Sequence, residues 1–236
     1  MGMFDEYAEG HLSGLGTTEI HSCPELMELV QRVGFLPLLD SGVRGYSAEA
    51  LMAEECRYTE FDDGSWEWPL WQWKGPVVTE SPCVYGRFFA GKAGFISMEW
   101  WPDFCNWRRS SHPRPEDGSI EAAILDTLME RGSMINRELR AACGFTGSKM
   151  RSRFDGYVNR LQMACLVVTE NFVYPRDKHG REYGFGWSLL NTPERLLGHE
   201  ACHIDRDPQE SYRRMSDHLS KLLPQATERQ IAALLR

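Results

Sequence analysis

With 236 residues, 42% apolar and 11% aromatic, the chain has enough material for one large domain or two small ones with packed cores. Seven cysteines without a C-x-x-C pair, and a start, MGMFDEYAEG, without the basic-then-apolar layout of a leader, predict a reduced, cytoplasmic protein, and no apolar run approaches membrane-spanning length. The net charge of −8 counts against a general polyanion binder, yet residues 1–118 carry 9 Lys/Arg against 19 Asp/Glu while residues 148–183 carry 7 against 4, so only that later segment is basic.

Residues 1–23 are rich in Gly, Ser and Thr without a period and read as a loosely held arm. Pro24 opens a helix whose buried stripe is Leu26, Leu29, Val30 and Val33, and Gly34 ends it. A loop follows, then a second helix after Ser47 and a turn at Asp62-Asp63-Gly64. Seven of the eight tryptophans lie between Trp66 and Trp107. There Trp66 and Trp68, then Trp71 and Trp73, alternate at strand period, VYGRFF and AGFIS read as short strands, and a helix over 102–109 closes the unit. These aromatics, with Lys74, Arg87, Lys92, Arg108 and Arg109 interleaved, could stack nucleobases or line a pocket; the alternative is that they fill the core of a small β-rich domain. Residues 110–118 read as a linker.

After Ser119, a helix cap, the order becomes legible. IEAAILDTLMERGS is a helix, Asn136 caps a short second one, SKMRSRFDGYVNRLQMAC is a third, and two strands flank a charged turn, RDKHGRE. Three helices and a hairpin with a basic tip is the winged-helix order. On the third helix Met150, Phe154, Tyr157, Val158, Leu161 and Cys165 share the arc expected to be buried. Lys149, Arg153 and Arg160 lie together beside it, with Gly156 permitting close approach of a backbone, and Lys178 and Arg181 stand on the hairpin tip. Such a stripe suits phosphate neutralisation; a solvated face used only for protein contacts is the competing reading. The chain as a whole is thus expected to be α+β: a Trp-rich mixed unit (24–118), a winged helix (119–192) and a helical tail (193–236).

RFDGYVNRLQMACLVVTENFVYPRDKHGREYGFGWSLLNTPE, with WEWPLWQWKGPV, CVYGRFFAGKAGFISMEWWPDFCNWRR and GFLPLLDSGVRGYS, resembles the AlkZ-related proteins, distant relatives of the winged-helix DNA glycosylases that excise alkylated or crosslinked bases. The resemblance covers roughly residues 24–236. The active glycosylases carry Gln-x-Gln or Gln-x-Asp in a segment like G-L-L-Q-I-D-S, and the matching segment here puts Leu38 and Asp40 at the two polar positions. Asp40 is therefore the catalytic candidate, with a turn residue as the alternative. Gln72 is a further polar side chain among the aromatics.

His199-Glu200-Ala201-Cys202-His203 spells the zinc-protease pattern H-E-x-x-H, but Pro208 follows soon after it, and Asp205, Asp207 and Glu228 compete as a third ligand. No metal and no cofactor are expected. The leading expectation is a protein that binds duplex DNA, damaged duplex included, with Trp66, Trp68, Trp71 and Trp73 forming its pocket. A glycosylase-like enzyme on the same scaffold and a non-enzymatic protein-interaction module are the rivals.

Overall fold

The structure, a computed structural model, describes residues 19–60, 64, 66–147, 150–176, 178–180 and 182–236, with Thr59 and Trp66 described as backbone only. Most of the expected arm, the Asp62-Asp63 pair, Lys149 and Arg181 lie outside these residues. The fold is α+β, with ten helices and a six-stranded antiparallel sheet among the described residues.

Helix α1 (Cys23–Val33) forms as its sequence predicts. The Ser22 hydroxyl accepts from the Glu25 N–H, Leu26, Leu29, Val30 and Val33 are buried, and Gly34 ends the helix at φ +78. Strand β1 (Phe35–Pro37), wholly buried, leads to α2 (Ala48–Leu51), which Ser47 caps. A two-stranded ribbon, β2 (Thr59–Glu60) with β3 (Trp66–Glu67), precedes α3 (Pro69–Glu80).

Helix α3 corrects the expected strand over Trp71 and Trp73. Pro69, with fixed φ and no N–H to satisfy, suits a first helical turn, and two alternating tryptophans span too short a window to separate periods 2 and 3.6. The Gly75-Pro76 pair, by composition a turn signal, sits inside the helix, which continues because it packs against α1, β4 and β7.

Strands β4 (Cys83–Phe89) and β5 (Lys92–Ser97) form a hairpin, and β1 adds to its outer edge. Gly94 has to be glycine there: a Cβ would lie 2.6 Å from the Leu36 carbonyl oxygen and 2.4 Å from the Phe89 ring. Helix α4 (Trp101–Ser111) follows. Then come α5 (Ile120–Arg131), β6 (Met134–Ile135), α6 (Asn136–Ala142), α7 (Arg151–Met163) and the strands β7 (Val168–Val173) and β8 (Trp187–Asn191). Ser119 caps α5 as expected, whereas Ile135 occupies the cap position of α6 and Asn136 instead donates to Asp155 Oδ1 at 2.7 Å. Strand order is β1-β5-β4-β7-β8-β6, so one sheet runs through both halves and is joined where Tyr85 of β4 pairs with Thr169 of β7.

The last helices are α8 (Pro193–Leu197), α9 (Pro208–Leu222) and α10 (Glu228–Leu235). Met215, Leu219, Ile231, Leu234 and Leu235 of α9 and α10 join the core built by residues 20–105, while Ile124, Leu128, Leu139, Phe154, Leu161 and Leu190 form a second core. The C-terminal segment therefore returns to the first half of the chain.

Two buried charges lock these pieces. Arg108, 1% exposed, donates to the carbonyls of Met163 (2.6 Å), Leu235 (3.2 Å) and Phe88 (3.3 Å), and so ties the ends of α7 and α10 to β4. A guanidinium suits this role because its fork of donors faces several carbonyls, two of them at negative helix ends. Asp103 accepts from Ser211 at 2.6 Å and from Arg206, and forms an ion pair with Arg214 at 3.4 Å, joining α4 to α9. No helix of the described residues is long and apolar enough to cross a membrane.

Candidate nucleic-acid interface

A cavity of about 1010 Å³ opens along the seam of the sheet, with Tyr85 and Thr169 both in its wall. The first half of the chain contributes the Leu38–Asp40 segment, Glu49, Trp71, Lys74, Arg87 and Lys92. Helix α6 contributes Asn136, Arg137 and Arg140, and α7 adds Arg151, Asp155, Val158 and Gln162. The hairpin β7–β8 brings Phe172 and Trp187. A chain of net charge −8 thus gathers six cations and only three carboxylates around one opening.

Local structure explains the convergence. Arg137 and Arg140 stand three residues apart and share one face of α6; Arg151, Asp155, Val158 and Gln162, at i, i+4, i+7 and i+11, share one face of α7. Among the described residues Arg87, Arg137, Arg140 and Arg151 form no ion pair, although Arg137 lies over the Trp187 ring at 5.3 Å. Gln162, buried, accepts the Arg87 N–H at 3.1 Å and so fixes the β4 edge of the cavity against α7. Four unpaired guanidiniums facing one space are costly in self-repulsion and are relieved by an anion.

The expected helix stripe faces elsewhere. Arg160 is engaged by Glu121 of α5 through two bonds, 2.6 and 3.2 Å, and Arg153 donates to the Tyr157 hydroxyl at 3.1 Å. Gly156 is half-buried beside them, and neither arginine lines the cavity. Lys178 is exposed at the hairpin tip, where Arg176 and Glu182 pair at 2.9 Å. Among the interleaved cations Lys74, Arg87 and Lys92 line the cavity, but Arg108 is consumed by carbonyls and Arg109 by Glu194 (2.6 Å) and the Cys165 carbonyl (2.7 Å).

Of the expected aromatic pocket, Trp71 lines the cavity. Trp68 packs edge-on against Trp71 at 5.4 Å and Trp73 packs on the first core, so both are structural; the Trp66 side chain lies outside the described residues. The other aromatic walls, Tyr85, Phe172 and Trp187, carry no motif and come from β4 and from the β7–β8 hairpin, more than 80 residues later in the sequence.

Asp40 stands at the rim, 79% exposed, and behaves as a turn residue: Oδ1 accepts the Gly42 N–H at 3.0 Å and Oδ2 meets Lys92 at 3.3 Å. The Gly42 bond, with help from Lys92, holds its carboxyl below the usual range. Leu38, where the glycosylases have glutamine, is buried and bonds the Ala93 carbonyl through its own N–H. Glu49, which no motif marks, lines the same cavity half-buried, and desolvation raises its carboxyl above the usual range.

The H-E-x-x-H segment is not helical across both histidines: Glu200–Cys202 is a single 3-10 turn. The His199 and His203 rings pack on each other at 3.7 Å, and both residues are exposed. Among the described residues the side chains grouped closely enough to share a metal ion are His21, Glu55 and Cys56, at the opposite end of the sequence.

No curated protein and no solved structure matches the chain. The family model described as AlkZ related matches residues 20–236, which is nearly the whole sequence, and the chain belongs to the AlkZ-related family.

Proposed function

We propose that this protein binds duplex DNA, damaged duplex included, through a winged-helix unit formed by residues 119–192 whose cationic cavity faces residues 24–118. The order α5, β6, α6, α7, β7, β8 supports the winged-helix reading. The carrying observation is that Arg87, Arg137, Arg140 and Arg151, from three elements of both halves, converge on one cavity without an ion pair among the described residues. Guanidiniums in that state suit phosphate oxygens, and the Trp71, Tyr85, Phe172 and Trp187 walls suit the flat face of a base. AlkZ-related membership is in keeping with a role linked to DNA repair. The test is fluorescence anisotropy of a labelled duplex with two charge-reversed proteins. Arg137→Glu with Arg140→Glu and Arg151→Glu should abolish binding, while Arg153→Glu with Arg160→Glu should cost little; the reverse order would move the interface to the outer face of α7.

A second reading, base release on the same scaffold, has one observation in its favour. Asp40 and Glu49 line one cavity with carboxyls displaced in opposite directions, an arrangement that lets one carboxylate stabilise charge while the other holds a proton. Leu38 in place of glutamine counts against efficient water activation.

A further inference from the structure

Lys74 is the cation of the cavity that phosphate binding does not explain. It is 2% exposed, and its Nζ lies 4.3 Å from the Trp71 ring centroid and 4.0 Å from that of Phe172, with both rings in the cavity wall. Its one hydrogen bond among the described residues goes to the Phe185 carbonyl at 2.6 Å, and no carboxylate pairs with it. Contacts frame the site: the Tyr174 hydroxyl donates to the Trp71 carbonyl at 2.8 Å, the Phe185 ring packs on Trp71 at 5.0 Å, and Gly186, at φ +68, lies so close to Tyr174 that a Cβ would come within 2.9 Å of the ring. Burial without a counter-ion favours the neutral, nucleophilic form of the amine, and outweighs the attraction of the two ring faces for the ammonium. Burial lowers its pKa from 10.5 to about 7, so a large fraction is unprotonated near neutrality. As a mere tether for the hairpin, a lysine would be a poor choice, because a Met of similar length fills the space without desolvating a charge.

We propose that Lys74 is an amine nucleophile of the cavity, forming an imine with the aldehyde of a ring-opened deoxyribose, the sugar left at an abasic site. The identity of this substrate rests on the duplex-DNA reading above; the reactivity of the amine does not. The Nζ lone pair forms a bond to the aldehyde carbon, and the carbonyl π pair moves to oxygen, which takes up the proton that nitrogen loses. The carbinolamine hydroxyl takes up a proton from solvent and leaves as water while the nitrogen lone pair closes the C=N bond, and the iminium so formed returns its N–H proton to solvent to give the imine, so atoms and electrons balance with no external oxidant or reductant. In the free protein the Phe185 carbonyl and the two rings hold Nζ at the wall, and the Arg137, Arg140 and Arg151 side chains would engage the phosphates flanking the sugar.

The experiment is reductive trapping with cyanoborohydride, using two aldehydes in parallel: 2-deoxyribose 5-phosphate and a duplex carrying one abasic site, with duplex binding measured by anisotropy on the same preparations. The chain has five lysines (74, 92, 149, 178 and 221), so peptide mapping assigns the adduct unambiguously. The expected result is an adduct on Lys74 from both aldehydes, at least tenfold above that on any other lysine, and its loss in Lys74→Arg, which keeps a cation but cannot form the imine. Trapping of the sugar phosphate on Lys74 without duplex binding would uphold the amine and overturn the DNA reading. Duplex binding with Lys74 unmodified in the wild-type map would overturn the proposal, and so would adducts spread evenly over the other lysines.

Discussion

Replacing Lys74 by Met should change the stability of this protein by an amount whose sign depends on pH. In the folded chain, burial brings the Lys74 pKa from 10.5 to about 7. Each tenfold displacement is worth about 1.36 kcal/mol, so holding the ammonium in this site below pH 7 costs about 5 kcal/mol relative to the unfolded chain. Between pH 7 and 10.5 the unfolded chain binds a proton that the folded chain does not, so wild-type stability rises with pH across that window; above 10.5 both states are neutral and the cost is gone. The Met variant has no such dependence, but it leaves the Phe185 carbonyl without its donor at every pH, a loss of about 1–3 kcal/mol. At pH 6 Lys74→Met should therefore be more stable than wild type by about 2–4 kcal/mol, and at pH 10.5 less stable by about 1–3 kcal/mol. Urea denaturation followed by tryptophan fluorescence at pH 6, 8 and 10.5 reads this difference directly. A difference independent of pH would refute the argument, because Lys74 would then be carrying the same charge in both states.

Removing the buried guanidinium in Arg108→Ala should cost about 3–5 kcal/mol, since three carbonyls each lose a hydrogen bond, Leu235 keeping only that from Trp107, and a void opens between α4, α7 and α10; urea denaturation measures it, and a loss under 1 kcal/mol would contradict the locking role. Purified protein should hold no stoichiometric zinc at His199 and His203, because a 3-10 turn does not set the two rings at helical i, i+4 spacing; atomic absorption of wild type and of His199→Ala with His203→Ala should agree. Base release from alkylated duplexes should be slow, on the order of 10² to 10³ below an enzyme that keeps the glutamine contact. In a single-turnover assay, rapid release that Asp40→Asn or Glu49→Gln abolishes would establish the enzyme reading instead.

The elements with strong local signals were legible in the sequence. Ser22 and Gly34 bracket α1, Ser119 caps α5, and the apolar arc of the third helix places Phe154, Val158 and Leu161 in a core. What local signals do not encode is which half of the chain each face meets. Arg153 and Arg160 satisfy a helical-stripe argument, yet α5 brings Glu121 to Arg160, while the less conspicuous set of Arg151, Asp155 and Gln162 turns to the cavity. The pairing of Tyr85 with Thr169 spans 84 positions and carries no motif, and it is this pairing that makes the cavity. Trp71 and Trp73 misled for another reason: their spacing of two fits either period, and Pro69 was the residue that could have decided it.

The central claim is that the cavity arginines neutralise phosphates, and the salt dependence of duplex affinity tests it most directly. If Arg87, Arg137, Arg140 and Arg151 each meet one phosphate, log affinity should fall against log salt with a slope of about −3.6, from about −0.9 per contact. Reversing Arg137, Arg140 and Arg151 should remove about three quarters of that slope along with most of the affinity. An affinity that does not change with salt, or a slope that the triple variant leaves intact, would contradict it.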